Sequence, residues 1–293
     1  MERFVQVTVD GLAAGSVYAA LALALVLIFR ATGVLNIAQG EMAMLSTFVA
    51  YTLVTAGLPL LLAVAATFVI SFAAGALLER VVIRPFEGGD PLRIVIVTLG
   101  LFLVINSTAG WIWTYDTKRF PSVFPDERIT VAGVQLTVES LGTAGLLVLV
   151  VAALTLLFQR TQIGRAMRAA AENPASSRLV GIPVGRMLTL GWGIAAALGS
   201  LAGILIAPRL FLDPNLMGGV LIYAFAAAAL GGFDNPLGAV LGGWIVGLAE
   251  DWAGTYIDAI GQDLKILVPL AIIFVVLVLR PAGLLGTREV ERA

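Results

Sequence analysis

Long apolar runs separated by short polar breaks form the dominant pattern along this chain. A helix needs about 20 apolar residues to cross the hydrocarbon core of a bilayer, and several runs reach that length. The pattern predicts nine membrane-spanning helices, although eight or ten also fit it. The predicted spans cover residues 9–29, 33–56, 58–79, 92–114, 141–158, 187–207, 216–232, 236–254 and 264–280. We therefore expect an all-α fold in which residues 1–293 form a single transmembrane domain, a polytopic helical bundle.

The composition agrees with a chain that lies mostly in lipid. Hydrophobic residues make up 59% of the sequence and charged residues 13%, against about 45–50% and about 25% in soluble domains. A net charge of -1 provides no basic field for nucleic acid. The chain contains no Cys and no His, which removes thiolate chemistry and the commonest metal ligand and general base. The sequence therefore predicts no catalytic site and no metal site.

Three polar stretches are predicted to lie outside the hydrocarbon core: residues 79–93, 115–140 and 159–186. Cytoplasmic loops of membrane proteins carry an excess of Lys and Arg. With nine spans and residues 159–186 in the cytoplasm, that side carries about twice as many Lys and Arg residues as the outer side. This bias predicts an outer N-terminus and a cytoplasmic C-terminus. The 115–140 loop, which contains the strand-like ITVAGVQLTV, is then extracytoplasmic.

Pairs of glycine residues four positions apart recur in the predicted spans. Such pairs let two helix backbones approach closely in lipid. We interpret them as packing inside this subunit, with contact to a second membrane subunit as the alternative. The pairs are Gly11/Gly15, Gly199/Gly203, Gly238/Gly242 and Gly243/Gly247.

The 159–186 loop has the pattern of two short helices. Pro174, after Asn173, predicts a break or a new first turn. A second short helix is expected through Ser176 to Val180, and Gly181 suits the position just beyond its end. Such a helix pair could dock into a groove of a partner protein, or lie at the membrane interface with its arginines near lipid phosphates. Apolar side chains at i, i+3 and i+4 spacing predict one face of the first helix. They are Ile163, Ala166, Met167, Ala170 and Ala171.

The second predicted span contains Asn36, Gln39 and Glu41 within its first third. Polar groups at membrane depth are costly unless they are paired or hydrated. This segment is therefore predicted to be re-entrant, to line a transport pathway, or to form hydrogen bonds between helices. Gly33 and Gly40 would let its backbone bend. Glu41 could also act as the counter-charge for a ligand ammonium group.

Two other acidic or amide residues in the spans are interpreted as structural. Asn106 is expected to form hydrogen bonds between helices. Glu250 lies near the outer end of the eighth span and is expected at the membrane interface rather than buried.

Several segments resemble the permease subunits of branched-chain amino acid ATP-binding-cassette (ABC) importers. RAMRAAAENPASSRLVGIP is similar to that family's coupling segment, and GLAAGSVYAALALALVLIFRATGVLNIAQGEMAMLSTFVAY to its opening. The opening contains the turn N-x-A-x-G-E at Asn36, Ala38, Gly40 and Glu41. AAAALGGFDNPLGAVLGGWIVGLAE and LRPAGLLG match the pattern near the C-terminus. The matches extend over nearly the whole chain, and LNIAQGEMAM is closer to the LivH-like permease than to its LivM-like partner.

The resemblance implies a transporter of several subunits in a bacterial inner membrane. A second homologous permease, expected to be a paralogue, would pair with this chain, and an extracytoplasmic binding protein would deliver the ligand. Two cytoplasmic ATPase subunits would bind Mg-ATP, because this chain lacks the Walker A pattern and would bind no cofactor itself. The implied ligands are branched-chain or related small neutral amino acids.

The resemblance also implies functional residues. Residues 159–186 become the cytoplasmic coupling segment that moves with the ATPases, and Glu172 is the expected ion-pair partner for a basic ATPase group. The coupling candidates are Arg168, Ala170, Ala171, Glu172 and Gly181. The candidates for the translocation pathway are Asn36, Gln39, Gly40 and Glu41.

Three other functions stay open at this point. A permease for urea or short amides would share the family pattern, because the binding protein selects the ligand. An ion-coupled secondary transporter would need a carboxylate at membrane depth, for which Glu41 is the candidate. A membrane-embedded enzyme has no His, Cys or paired-carboxylate site to use in this sequence.

Overall fold

In lipid, backbone N–H and C=O groups must be bonded within the protein, which is why the apolar runs fold as helices. The computed structural model describes residues 2–86, 89–125, 127–131, 134–261 and 263–286. These residues form eleven α-helices and one β-hairpin. The helices are α1 (Glu2–Thr32), α2 (Gln39–Thr55), α3 (Leu60–Leu78), α4 (Pro91–Trp113), α5 (Val138–Arg160), α6 (Gln162–Glu172), α7 (Pro174–Leu179), α8 (Val184–Leu210), α9 (Leu216–Gly231), α10 (Pro236–Tyr256) and α11 (Leu267–Leu279).

Each predicted span overlaps one of these helices, and α6 and α7 form the predicted helix pair of the 159–186 loop. Within the described residues, five helices are long and apolar enough to cross a membrane: α1, α3 with its extension to Phe86, α4, α5 and α8. Helices α9 and α11 are apolar but shorter. The chain is therefore a multi-pass helical membrane protein, and the count of nine spans stays a prediction.

The described residues fold into two compact units. Unit 1 takes its residues from 1–26, 124–144 and 219–293, and unit 2 from 27–123 and 145–218. Both units contain apolar helices, so both belong to the membrane part of the protein. The single transmembrane domain over the whole chain stays a prediction.

In unit 2, helix α8 packs along α2 and α3. A Cβ added to Gly75 of α3 would lie 2.5 Å from the Ala196 Cβ of α8, so only glycine permits this crossing. Gly199 and Gly203 of α8 face Ala43 of α2 with similarly little space. The fully buried Trp192 completes the centre of this unit.

In unit 1, helix α1 packs on α10 through glycine backbones. A Cβ on Gly15 would lie 2.6 Å from the Gly243 carbonyl oxygen, and one on Gly11 would lie 3.0 Å from the Gly247 carbonyl oxygen. Helix α10 meets α9 in the same way at Gly238 and Gly242. The glycine pairs singled out in the sequence therefore pack helices inside this subunit, as predicted.

One hairpin departs from a purely helical fold. Strands β1 (Arg128–Val131) and β2 (Val134–Thr137) pair antiparallel, with Ile129 opposite Leu136. The hairpin lies where the alternating β-branched residues of ITVAGVQLTV predicted strands. It lies in the loop predicted to be extracytoplasmic.

Candidate functional site

Both helices of the α6–α7 segment begin with a capping residue. Thr161 caps α6, its hydroxyl accepting a 3.0 Å hydrogen bond from the Gly164 N–H. Asn173 caps α7 by accepting a 2.9 Å bond from the Ser176 N–H, and Pro174 follows at the first helical position. The predicted second short helix is confirmed; it runs Pro174–Leu179 rather than Ser176 to Val180, so Pro174 begins a new first turn.

The end of α7 is a Schellman turn. Gly181 has φ +82°, a left-handed conformation that glycine adopts without strain. The Ile182 N–H bonds the Ser177 carbonyl at 2.9 Å, and the Gly181 N–H bonds the Arg178 carbonyl at 3.1 Å. Gly181 therefore stands just beyond the helix end, as predicted, and turns the chain into α8.

One face of α6 is held against α8. Ala170 is 1% exposed and packs with Val184 and Leu188 of α8. Met167 is also buried, whereas Ile163, which the spacing assigned to the same apolar face, is 52% exposed. The buried face is therefore narrower than the sequence predicted, and Ala170 is an anchoring residue without surface for another protein.

The opposite side of the segment faces outward. Arg168 and Glu172 are exposed. Two apolar side chains at the tip are more exposed still, Leu179 at 89% and Val180 at 76%. Exposed aliphatic groups beside charged ones are typical of a protein-docking surface, and the sequence analysis did not single out these two residues.

The structure brings only some of the coupling candidates together. Arg168, Ala170 and Ala171 line a cleft formed by the ends of α1 and α5 with α6 and α8. Glu172 and Gly181 do not line it.

The polar turn before α2 lies inside unit 2. Residues 33–38 are not helical, Gly33 has φ +72°, and α2 begins at Gln39. The bend expected at Gly33 is therefore confirmed, whereas the one expected at Gly40 is wrong, because Gly40 lies in the first turn of α2. The Gln39 amide donates a 3.0 Å bond to the Ala195 carbonyl, near the middle of α8. Helix α2 thus begins part-way along α8, as a re-entrant segment would.

Asn36 and Gln39 satisfy each other's polar groups. The Asn36 side chain donates to Gln39 Oε1 at 3.2 Å and accepts from the Ala38 N–H at 3.1 Å. Both residues are buried, at 1% and 0% exposure. Together with the bond to Ala195, these contacts fix the start of α2 against α8.

Glu41 has a different environment from its two polar neighbours. It is 3% exposed, and one carboxylate oxygen accepts a 3.2 Å bond from the Asn106 side-chain amide. That amide also donates to the Pro214 carbonyl at 2.8 Å. No Lys or Arg of the described residues lies within ion-pair distance of this carboxylate. Asn106 forms an interhelix hydrogen bond, as expected, and that bond is to the candidate pathway carboxylate, while its second bond is to the loop before α9.

Two buried carboxylates were missed by the sequence analysis. Glu250 is 8% exposed, which corrects the interfacial placement, and it accepts a 2.8 Å bond from the Tyr18 hydroxyl. The Tyr18 and Tyr223 rings stack with centroids 4.6 Å apart. Glu79, placed in a polar loop from sequence, is completely buried. An acidic residue at the end of an apolar run was the available signal in both cases.

Within the described residues, no three His, Cys, Asp or Glu side chains are grouped so as to hold a metal ion. The candidate site is therefore a set of polar groups inside a helical membrane protein, and the exposed helix pair is a separate feature of the same unit. Polar groups buried at membrane depth are typical of transport proteins.

The chain belongs to the family of branched-chain amino acid transport system permease components, whose profile matches residues 7–277. It is 31% identical to the high-affinity branched-chain amino acid transport system permease protein BraD of Pseudomonas aeruginosa, over 99% of this chain and 98% of that protein. It is 29% identical to the corresponding permease protein LivH of Escherichia coli, over 99% and 97%. The predicted family is confirmed, and the chain is a transport permease rather than an enzyme.

The fold also resembles a solved one. A chain of PsaBC from Streptococcus pneumoniae in complex with Fab matches with a TM-score of 0.50 at 14% identity. The match covers 95% of this chain and 92% of that chain, so the likeness in fold extends over both units.

Proposed function

We propose that this chain is the membrane-spanning permease subunit of an ABC importer for branched-chain or related small neutral amino acids. The observation that carries the proposal is the capped α6–α7 segment, which is anchored on α8 and faces outward. The naming of full-length relatives as branched-chain amino acid permeases supports the substrate class.

The coupling role is assigned to the outward side of residues 159–186. Arg168 and Glu172 supply charges for a partner surface, and Leu179 and Val180 supply the apolar contact. Ala170 and Ala171 hold the segment on the membrane helices, and Gly181 sets the turn into α8. Two cytoplasmic ATPases bind Mg-ATP and move this segment, and each nucleotide state favours a different arrangement of the helices.

The translocation pathway is assigned to the start of α2. A carboxylate at membrane depth is costly unless a cation or a proton compensates it. The ammonium group of a passing amino acid can compensate Glu41, while Asn106 orients the carboxylate. Asn36, Gln39 and Gly40 keep the start of α2 in place against α8.

The remaining partners follow from the same assignment. A second homologous permease, a paralogue, pairs with this chain in a bacterial inner membrane. An extracytoplasmic binding protein delivers the ligand on the side of the 115–140 loop. The N-terminus then lies outside and the C-terminus in the cytoplasm, in agreement with the Lys and Arg bias.

Gentle solubilisation of the native membrane tests the assembly. Two ATPase chains and one homologous permease are expected to co-purify with this subunit, and their absence would overturn the ABC assignment. In proteoliposomes, the complex with its binding protein should take up radiolabelled leucine only when ATP is supplied. Uptake of urea in place of leucine would move the assignment to the amide-transporting branch.

The buried Glu41 favours one rival, an ion-coupled secondary transporter that works alone. That rival predicts uptake by the purified chain in an ion gradient without ATPases. The ABC proposal predicts none under the same conditions, so one vesicle assay separates the two.

A further inference from the structure

An ion-pair network around the buried Glu79 carboxylate joins the end of α3 to the start of α8. Glu79 is completely buried, and Arg84 donates to both of its carboxylate oxygens, at 3.0 Å from Nε and 2.9 Å from the terminal nitrogen. The Thr189 hydroxyl of α8 accepts a 2.6 Å bond from Arg84 and has two acceptors for its one proton, the same carboxylate at 2.7 Å and the Gly185 carbonyl of its own helix at 2.8 Å. We call Glu79, Arg84 and Thr189 the Glu79 clamp.

The backbone after α3 is shaped to form this clamp. Residues Glu79–Ile83 form a π-helical turn, and Arg84–Phe86 form a 3-10 turn. In an α-helix, side chains five residues apart point in different directions, at about 100° per residue. The π turn, closed by the Arg84 N–H on the Glu79 carbonyl, places the two side chains on the same side. Such turns are frequent at functional sites.

The clamp contacts the same part of α8 as the coupling segment. Arg84 donates to the Gly185 carbonyl at 2.8 Å and Thr189 lies one turn further along. Ala170 of α6 packs on Val184 and Leu188, which occupy the neighbouring face of the same two turns. The first two turns of α8 are therefore held on one side by the coupling segment and on the next by the end of α3.

We propose that the clamp residues are positioning residues for energy coupling, because they make the end of α3, the start of α8 and the coupling segment move as one body. This inference rests on the coupling role proposed above for residues 159–186. Glu79 is buried and both of its carboxylate oxygens have partners, so removing those partners would leave its charge buried without compensation, which is costly. The clamp therefore stays closed when the ATPases displace the segment, and the displacement reaches α3 as well as α8.

Thr189 offers the mildest test of the clamp. Thr189→Val keeps the shape of the side chain and removes the hydroxyl, whereas Thr189→Ser keeps the hydroxyl. In the reconstituted complex, Thr189→Val should raise the ATP hydrolysed per leucine imported by about tenfold, the factor typical of losing a hydrogen bond to a charged group. Thr189→Ser and the exposed neighbour variant Arg80→Gln should keep the wild-type ratio. An unchanged ratio in Thr189→Val, with the complex assembled, would overturn the proposal.

A distance measurement separates this inference from the proposed transport function. The chain has no Cys, so spin labels can be placed at Arg80→Cys and at Gln162→Cys alone, the second an exposed position at the start of α6 with no assigned docking role. With the clamp intact, the label distance should be the same in the nucleotide-free and ATP-trapped complex. In Thr189→Val the two states should give different distances. A distance that already changes with the clamp intact, or that never changes in Thr189→Val, refutes the clamp, whereas failure of ATP-dependent uptake refutes the transport assignment.

Discussion

Gly164 offers a sharp test of how the coupling segment is held. Substitution by alanine there overpacks a helix contact, which destabilises, and raises helix propensity, which stabilises. An added Cβ would overlap the Leu157 carbonyl oxygen and the Phe158 Cα of α5. Both obstacles are backbone atoms, so α6 itself has to shift. Overpacking of this kind costs about 1–3 kcal/mol. Alanine in place of glycine inside a helix returns at most about 1 kcal/mol.

The overpacking cost is expected at its upper end, about 3 kcal/mol, because backbone atoms cannot rotate away as a side chain can. After the gain of about 1 kcal/mol in helix propensity, Gly164→Ala should destabilise the docked α6 by about 2 kcal/mol. At about 1.4 kcal/mol per factor of ten, the undocked form of α6 becomes about 30-fold more populated. Amide hydrogen exchange of residues 162–172 in the purified complex should accelerate by about that factor, since exchange reports local opening.

Gly145→Ala is the matched control. Gly145 lies in α5, and nothing is within 4 Å of its added Cβ. Only the helix-propensity gain applies there, so this variant should leave exchange of α6 unchanged and stabilise α5 slightly. Equal exchange of α6 in the two variants would refute the assignment of a backbone contact at Gly164.

Three further outcomes are expected. Glu172→Ala should lower ATPase stimulation by the loaded binding protein by about fivefold, the factor of an ion pair worth about 1 kcal/mol. Asp258→Ala, at an exposed carboxylate in the turn after α10, should leave it unchanged. Equal stimulation in both variants would remove Glu172 from coupling. Glu41→Gln, which keeps the bond to Asn106 but not the charge, should reduce leucine uptake by about tenfold with assembly intact, and full uptake would contradict the ammonium role. Gly15→Leu should lower the thermal unfolding temperature in detergent, because α1 meets α10 backbone there; an unchanged temperature would speak against that contact.

The helices could be predicted from the sequence because their signal is local. Runs of about 20 apolar residues mark a helix without knowledge of its neighbours. The caps at Thr161 and Asn173 and the turn at Gly181 depend equally on adjacent residues. The break before Gln39 was predictable for the same reason, since three polar residues cannot sit together in a lipid-facing helix.

The partners of the polar residues could not be predicted in this way. Glu41 bonds Asn106, which is 65 positions away, and the acceptor of Gln39 is 156 positions away. Glu79 stands among charged loop residues, and its burial depends on a π turn and on Thr189 from another helix. The apolar spacing predicted a wide apolar face on α6 because it treats every apolar residue as buried. In the structure, only some of these residues pack against the rest of the unit, and Ile163 stays exposed.

Helix α8 connects the two sites that the sequence singled out. Val184 and Leu188, in its first two turns, hold the coupling segment. The Ala195 carbonyl, about 16 Å beyond Val184 at 1.5 Å per residue, accepts the bond from Gln39 at the start of α2. A densely packed helix transmits a displacement of its first turns to the residues packed further along it. If the ATPases displace residues 159–186 as proposed, we therefore expect the displacement to reach the start of α2, and with it Glu41.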